Sequence, residues 1–188
     1  MVRVSPDVGL VYPLDEFYVR AGLPLPPITA ISGADVPEPY RGLLVHARDM
    51  TPTLESAYGG TIHLRVLDRS IACNVLSREV VLVPEGSTAP AAFGVIKINL
   101  EHFSEPARAL VMECREPLGT ILRRHAVTHS SQPELFFRAE ADTLMCRALQ
   151  LTEAHPLYGR RNVLRNSEGQ TLAQVVEILP PANGFKRE

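Results

Sequence analysis

The sequence predicts an α+β fold, an antiparallel β-sheet with helices packed on one side. Three observations carry this. β-Branched or alternating runs come in pairs around short polar turns, most clearly at 158–165 and 170–179. Helical start and stop signals fall between those runs rather than alternating with each one. The chain has 188 residues, 45% hydrophobic and 21% charged, which is the size and composition of one domain with its own core.

Residues 1–40 differ from the rest. Pro13, Pro24, Pro26, Pro27, Pro37 and Pro39 fall here, and each removes a backbone donor and disfavours helix before it. The expectation is an extended, proline-rich arm with one short helix near Asp15–Ala21. Leu10, Val11, Tyr12, Leu14, Phe17 and Tyr18 should pack that arm on the body.

The body is expected over 41–188. Thr51 with Pro52 reads as an N-cap and first helical residue, and Gly59-Gly60 ends that helix after Tyr58. Thr61–Leu67 alternates and reads as a strand, Asp68-Arg69-Ser70 as a turn, Ile71–Leu76 as the return. Strands follow at Arg78–Val83 and Ala92–Asn99. Ser104 and Pro106 open a helix to Glu113, and Pro117–Ala126 is a second, with Arg123, Arg124 and His125 at its C-terminal end. Leu135–Leu151 reads as strand-like or irregular. A final hairpin turns at Asn166-Ser167-Glu168-Gly169.

Several function classes are excluded. Lys plus Arg is 19 and Asp plus Glu is 21, giving a net charge of −2. That balance argues against a nucleic-acid partner bound through a basic patch. No run reaches 18 apolar residues, so no membrane span is expected. The N-terminus lacks the pattern of a secretory signal, so the expected location is the cytoplasm. Cys73, Cys114 and Cys146 are scattered and expected to be reduced, mostly buried thiols. Phosphate-binding, nucleophile-elbow, zinc-protease and calcium-loop motifs are absent. His125 and His129 are four apart, but the helix should end near Ala126, so no metal site is expected.

Two charged residues stand in apolar strands. Arg78 shares the parity of Val80 and Leu82, and Glu177 that of Ala173, Val175 and Leu179. Both faces of the last strand are apolar, so its carboxylate lies either on an edge or buried and paired. An Arg and a Glu facing one cavity would suit a small anion with a polar far end. A purely structural Arg–Glu pair satisfies the same pattern.

Leu157-Tyr-Gly-Arg-Arg-Asn-Val-Leu-Arg165, then Gly169, then Gln174-Val-Val-Glu177-Ile-Leu-Pro180 resembles the C-terminal hairpin of chorismate pyruvate-lyases. Asp49-Met50-Thr51 with Leu54-Glu55, Ser77-Arg78-Glu79-Val80 and Glu116-Pro117-Leu118-Gly119 are similar to three further segments of that family, in the same order. The resemblance covers about residues 45–182. It implies a compact antiparallel sheet with helical flaps over a buried site that needs no cofactor and no metal. It also implies an enzyme converting chorismate to 4-hydroxybenzoate and pyruvate, at the entry to ubiquinone or related aromatic products.

By the same resemblance Arg78 binds the ring carboxylate, backbone N–H groups of Met50 and Leu118 assist, and Glu177 meets the 4-hydroxyl end and takes part in catalysis. Such chemistry is reasonable for these groups: Arg offers a planar fork to a carboxylate, and Glu can transfer a proton. One feature departs from the family. Its better-known bacterial members carry a basic residue after the glycine of the central strand, whereas here Gly94 precedes Val95. Lys97, of the same parity as Val95, is expected to supply that charge. The departure leaves room for a non-catalytic, ligand-sensing domain of the same fold that binds a small aromatic acid. A protein-interaction module using the proline-rich arm is a third alternative, and monomer and dimer are both open.

Overall fold

The computed structural model describes residues 9–182. Six α-helices are found among them: α1 (Leu14–Ala21), α2 (Tyr40–Leu44), α3 (Met50–Tyr58), α4 (Glu105–Glu113), α5 (Leu118–Arg124) and α6 (Thr143–Leu149). The strands are β1 (Ile28–Ile31), β2 (Ile62–Ala72), β3 (Val75–Pro84), β4 (Ala92–Asn99), β5 (His129–Glu140), β6 (Pro156–Asn166) and β7 (Thr171–Leu179). They form one antiparallel sheet in the order β1-β5-β6-β7-β4-β3-β2.

Because side chains alternate along each strand, the register defines two faces. On one face the row Val80, Gly94, Glu177, Arg160 runs across β3, β4, β7 and β6, beside the row Arg78, Ile96, Val175, Asn162. This face carries the expected helical layer. Helices α4 and α5 pack on Leu76, Ile96, Leu164 and Val175, while α2 and α3 pack on Leu82, Ala92 and Leu179. Helices α1 and α6 cover part of the opposite face, against Val81, Phe93, Val95, Val176 and Ile178.

The proline-rich segment is built into this body. Leu14, Phe17 and Tyr18 of α1 are buried, and β1 hydrogen-bonds to β5. Gly159 marks a close approach on the opposite face. A Cβ there would stand 2.5 Å from the Phe137 ring across the β5–β6 pair and 2.7 Å from the Glu177 carbonyl oxygen.

Two local expectations need correction. Asp68-Arg69-Ser70 is no turn: β2 continues to Ala72, with a bulge between Val66 and Asp68. The reversal is at Cys73-Asn74, both at positive φ (48° and 61°), the conformation of a tight type I′ hairpin. Leu135–Leu151 divides cleanly. Strand β5 ends at Glu140, and Asp142 caps α6 by accepting from the Met145 N–H at 2.9 Å.

Candidate functional site

The two rows across β3, β4, β7 and β6, all but Arg160 at the end of the first, form the floor of a cavity of about 70 Å³. Its roof is the first turns of α3 and α5, represented by Met50, Thr51, Leu118 and Gly119. The two helices are tied together by an ion pair, Arg123 Nη1 to Glu55 Oε2 at 3.3 Å. First-turn N–H groups have no partner within their own helix, and residues of both first turns line the cavity.

Arg78 enters from β3. It is 2% exposed, yet its Nε and Nη1 have no hydrogen-bond partner. Burial pushes its pKa down, against a smaller upward effect of the neighbouring Cys114 thiol. No carboxylate neutralises it among the described residues. A lone buried cation is costly, and an entering anion would offset that cost.

Glu177 lines the same cavity but is already engaged. Arg160 Nε donates to its Oε2 at 2.6 Å. The pattern of an apolar strand with a paired carboxylate is therefore realised, with Arg160 and not Arg78 as the cation. Arg160 is fully buried, and its remaining donors hold the α2–α3 loop: Nη1 donates to the carbonyls of Leu44 (3.2 Å) and His46 (3.0 Å), and Nη2 to that of Arg48 (3.0 Å). This guanidinium links the sheet floor to the loop that leads into α3.

Beside the roof stands Asp49, which precedes α3 and lines the same cavity. Its Oδ2 accepts from His129 Nε2 at 2.8 Å, and the His129 Nδ1 lies 2.8 Å from the Val127 carbonyl. The Asp49 hydrogen bond raises the His129 pKa against opposing burial. Nearby, burial followed by the charge of Arg160 lowers the pKa of His46.

Of the residues singled out in the sequence, Arg78, Met50, Leu118, Gly94 and Glu177 line one cavity. Gly94 contributes space: a Cβ there would make only ordinary contacts, 3.5 Å to the Val176 carbonyl and 3.6 Å to Val80. Lys97 is a correction. It lies on the opposite face, where its Nζ pairs with Glu16 at 2.6 Å and sits over the Tyr12 ring. Shared parity with Val95 is the reason, since Gly94 and its neighbour necessarily point to opposite faces. Asp49, His129, Arg160 and Asn162 were missed as site residues. The usable signal was polar Arg160 and Asn162 at the parity of buried Leu164.

No protein-family model matches the chain, and no curated protein sequence matches it. Solved structures do. PhnF from Mycobacterium smegmatis is similar with a TM-score of 0.55 at 13% identity, over 73% of this chain and 65% of that one. The effector domain of PhnF gives 0.55 and 13%, over 72% and 90%. The possible transcriptional regulator YydK from Bacillus subtilis gives 0.52 and 8%, over 74% and 64%. The chain thus spans about two thirds of the length of full PhnF and of YydK. These likenesses overturn the expectation of a lyase and of a place in ubiquinone or other aromatic synthesis. The structures sharing the fold include an effector domain and a possible transcriptional regulator. What the chain shares with them is the α+β, chorismate lyase-like fold.

Proposed function

We propose that this protein is a non-catalytic, ligand-sensing domain that takes a small aromatic acid into the cavity beneath α3 and α5. The observation that carries this is Arg78, a buried guanidinium with two unpaired nitrogens facing an apolar hollow. A carboxylate would accept from both nitrogens in the fork geometry that Arg prefers. The backbone N–H groups at Met50 and Leu118 would add to the same positive end. Ile96, Leu164, Val175 and Val80 would hold the apolar middle of the ligand, and Glu177 would face its far end. Likeness to the effector domain of PhnF supports a sensing role, in which the ligand is held and not converted.

The test is thermal denaturation with and without 4-hydroxybenzoate. A ligand that binds only the folded state at 100 times its dissociation constant adds roughly 2.7 kcal/mol. Wild type should show that stabilisation and Arg78→Met should not. A shift of equal size in both proteins would remove Arg78 from the site and the proposal with it.

A further inference from the structure

We infer that Cys114 is a site of oxidation by peroxide, and that the sulfur oxyanion formed there pairs with Arg78 and closes the cavity to carboxylates. The closing rests on the carboxylate binding proposed above. The oxidation and the pairing stand without it.

Cys114 lies between the surface and the buried arginine. It ends α4 in the left-handed conformation (φ 56°), where glycine is the usual residue. On its outer side it lines a surface cleft of about 410 Å³ with Val66, Leu67, Asp68 and Arg69 of β2 and Glu113 of α4. On its inner side it belongs to the apolar cluster of Leu76, Ile96 and Leu118. Among the described residues it is the one side chain whose hydrogen bonding and charge act on the Arg78 guanidinium. Cys114 is 7% exposed, an opening that suits an oxidant close to water in size and excludes a bulky reagent.

Arg78 makes this more than a core thiol. It is 2% exposed, and its Nε and Nη1 have no partner. A buried cation without a counter-charge therefore stands beside a side chain that oxidation turns into an anion, and the product offsets the cost of the cation. A guanidinium next to a thiol is also the electropositive setting in which cysteines react. The sulfur attacks one oxygen of hydrogen peroxide: an S–O bond forms and the O–O bond breaks. Sulfur loses two electrons, and the departing hydroxide takes the thiol proton as water, leaving a sulfenic acid. A second peroxide adds a second oxygen in the same way, and the sulfinic acid gives its proton to solvent. The two oxygens of the sulfinate accept from the Arg78 fork as a carboxylate would.

The test treats the folded full chain with hydrogen peroxide. Peptide mass mapping should place two added oxygens on Cys114, whereas a bulky disulfide reagent should label exposed Cys73 and spare Cys114. Oxidised wild type without ligand should melt about 2 °C or more above the untreated protein. Arg78→Met should show no such gain, and Cys114→Ala treated in parallel subtracts any effect of oxidised methionines. Cys114→Asp sets a carboxylate in the place of the sulfinate and should share the gain. Affinity for 4-hydroxybenzoate should fall about tenfold or more in oxidised wild type. An unmodified Cys114 in folded protein whose Cys73 is oxidised would overturn the oxidation. Equal melting shifts in wild type and Arg78→Met would overturn the pairing. Unchanged affinity after full oxidation of Cys114 would overturn the closing. Failure of untreated wild type to bind 4-hydroxybenzoate would overturn the carboxylate reading and the closing with it, while the mass map and the melting shifts still decide the oxidation and the pairing.

Discussion

Arg160 and Glu177 are direct partners across β6 and β7, and a 2.6 Å bond from Nε to Oε2 joins them. The pair is buried on the sheet and bonded on its far side to three loop carbonyls. Removing its cation should therefore strand a carboxylate and release the loop at once. Arg160→Met is expected to cost about 3–5 kcal/mol, read as a lower urea midpoint. Arg160→Lys should recover little, because an ammonium lacks the planar fork. A loss below about 1 kcal/mol would mean that neither pair nor loop anchor matters to stability.

The neighbouring arginine should behave in the opposite sense. Arg78 is buried without a carboxylate, so Arg78→Met exchanges an uncompensated charge for an apolar chain of similar length. The ligand-free protein should gain about 1 kcal/mol or more. Equilibrium unfolding of the two proteins without ligand measures the difference. A loss approaching that of Arg160→Met would show Arg78 to be a structural residue.

Gly94 offers a way to fill the cavity without disturbing the sheet. A Cβ meets nothing closer than 3.5 Å, and the flanking strand residues on that face are Val80 and Glu177. Gly94→Ala and Gly94→Val should hold stability within about 1 kcal/mol of wild type. Affinity for aromatic carboxylates should fall stepwise, the valine variant losing more. Undiminished affinity in Gly94→Val would place the ligand elsewhere.

Acid should strengthen the Asp49–His129 contact. Both imidazole nitrogens lie 2.8 Å from oxygen acceptors, so only the imidazolium donates to both. With the folded pKa raised, this contribution is complete below the unfolded value of about 6.5 and is lost as pH rises through the folded value. His46 runs the other way: its lowered pKa makes protonation costly as pH falls below the unfolded value. The stability difference between wild type and His129→Gln isolates the first effect. It should be about 1–2 kcal/mol at pH 5 and shrink toward pH 9. A difference that is flat, or that grows with pH, would reject the imidazolium contact.

The strands legible in the sequence were those whose side-chain alternation or β-branched content was continuous. Ala92–Asn99 is β4 as expected, and the last hairpin turns at Asn166–Gly169. The β2–β3 reversal was not legible, because Asp68-Arg69-Ser70 has turn composition while Cys73-Asn74 lacks the glycine usual in a type I′ turn. In the site, Arg78 stood out as one charge in an apolar strand. Asn162 and Arg160 did not, since their partners Ser131, Leu44 and Glu177 lie 31, 116 and 17 residues away. Parity assigns a residue to a face but not to a partner. Lys97 shows the cost of choosing the wrong parity.

The outermost strand has a consequence for life at high concentration. β2 ends one side of the sheet, and Leu67 and Ile71 on its outer half are 43% and 53% exposed. A flat apolar border of that kind invites a second molecule to extend the ladder. Here the bulge after Val66 breaks the repeat, and Arg65, Asp68 and Arg69 set charges along it, with Asp68 gripped by Arg20 from α1. Misaligned amides and charges brought face to face make stacking of one chain on another unfavourable. Straightening that bulge or neutralising those three side chains would turn the border into a template for aggregation.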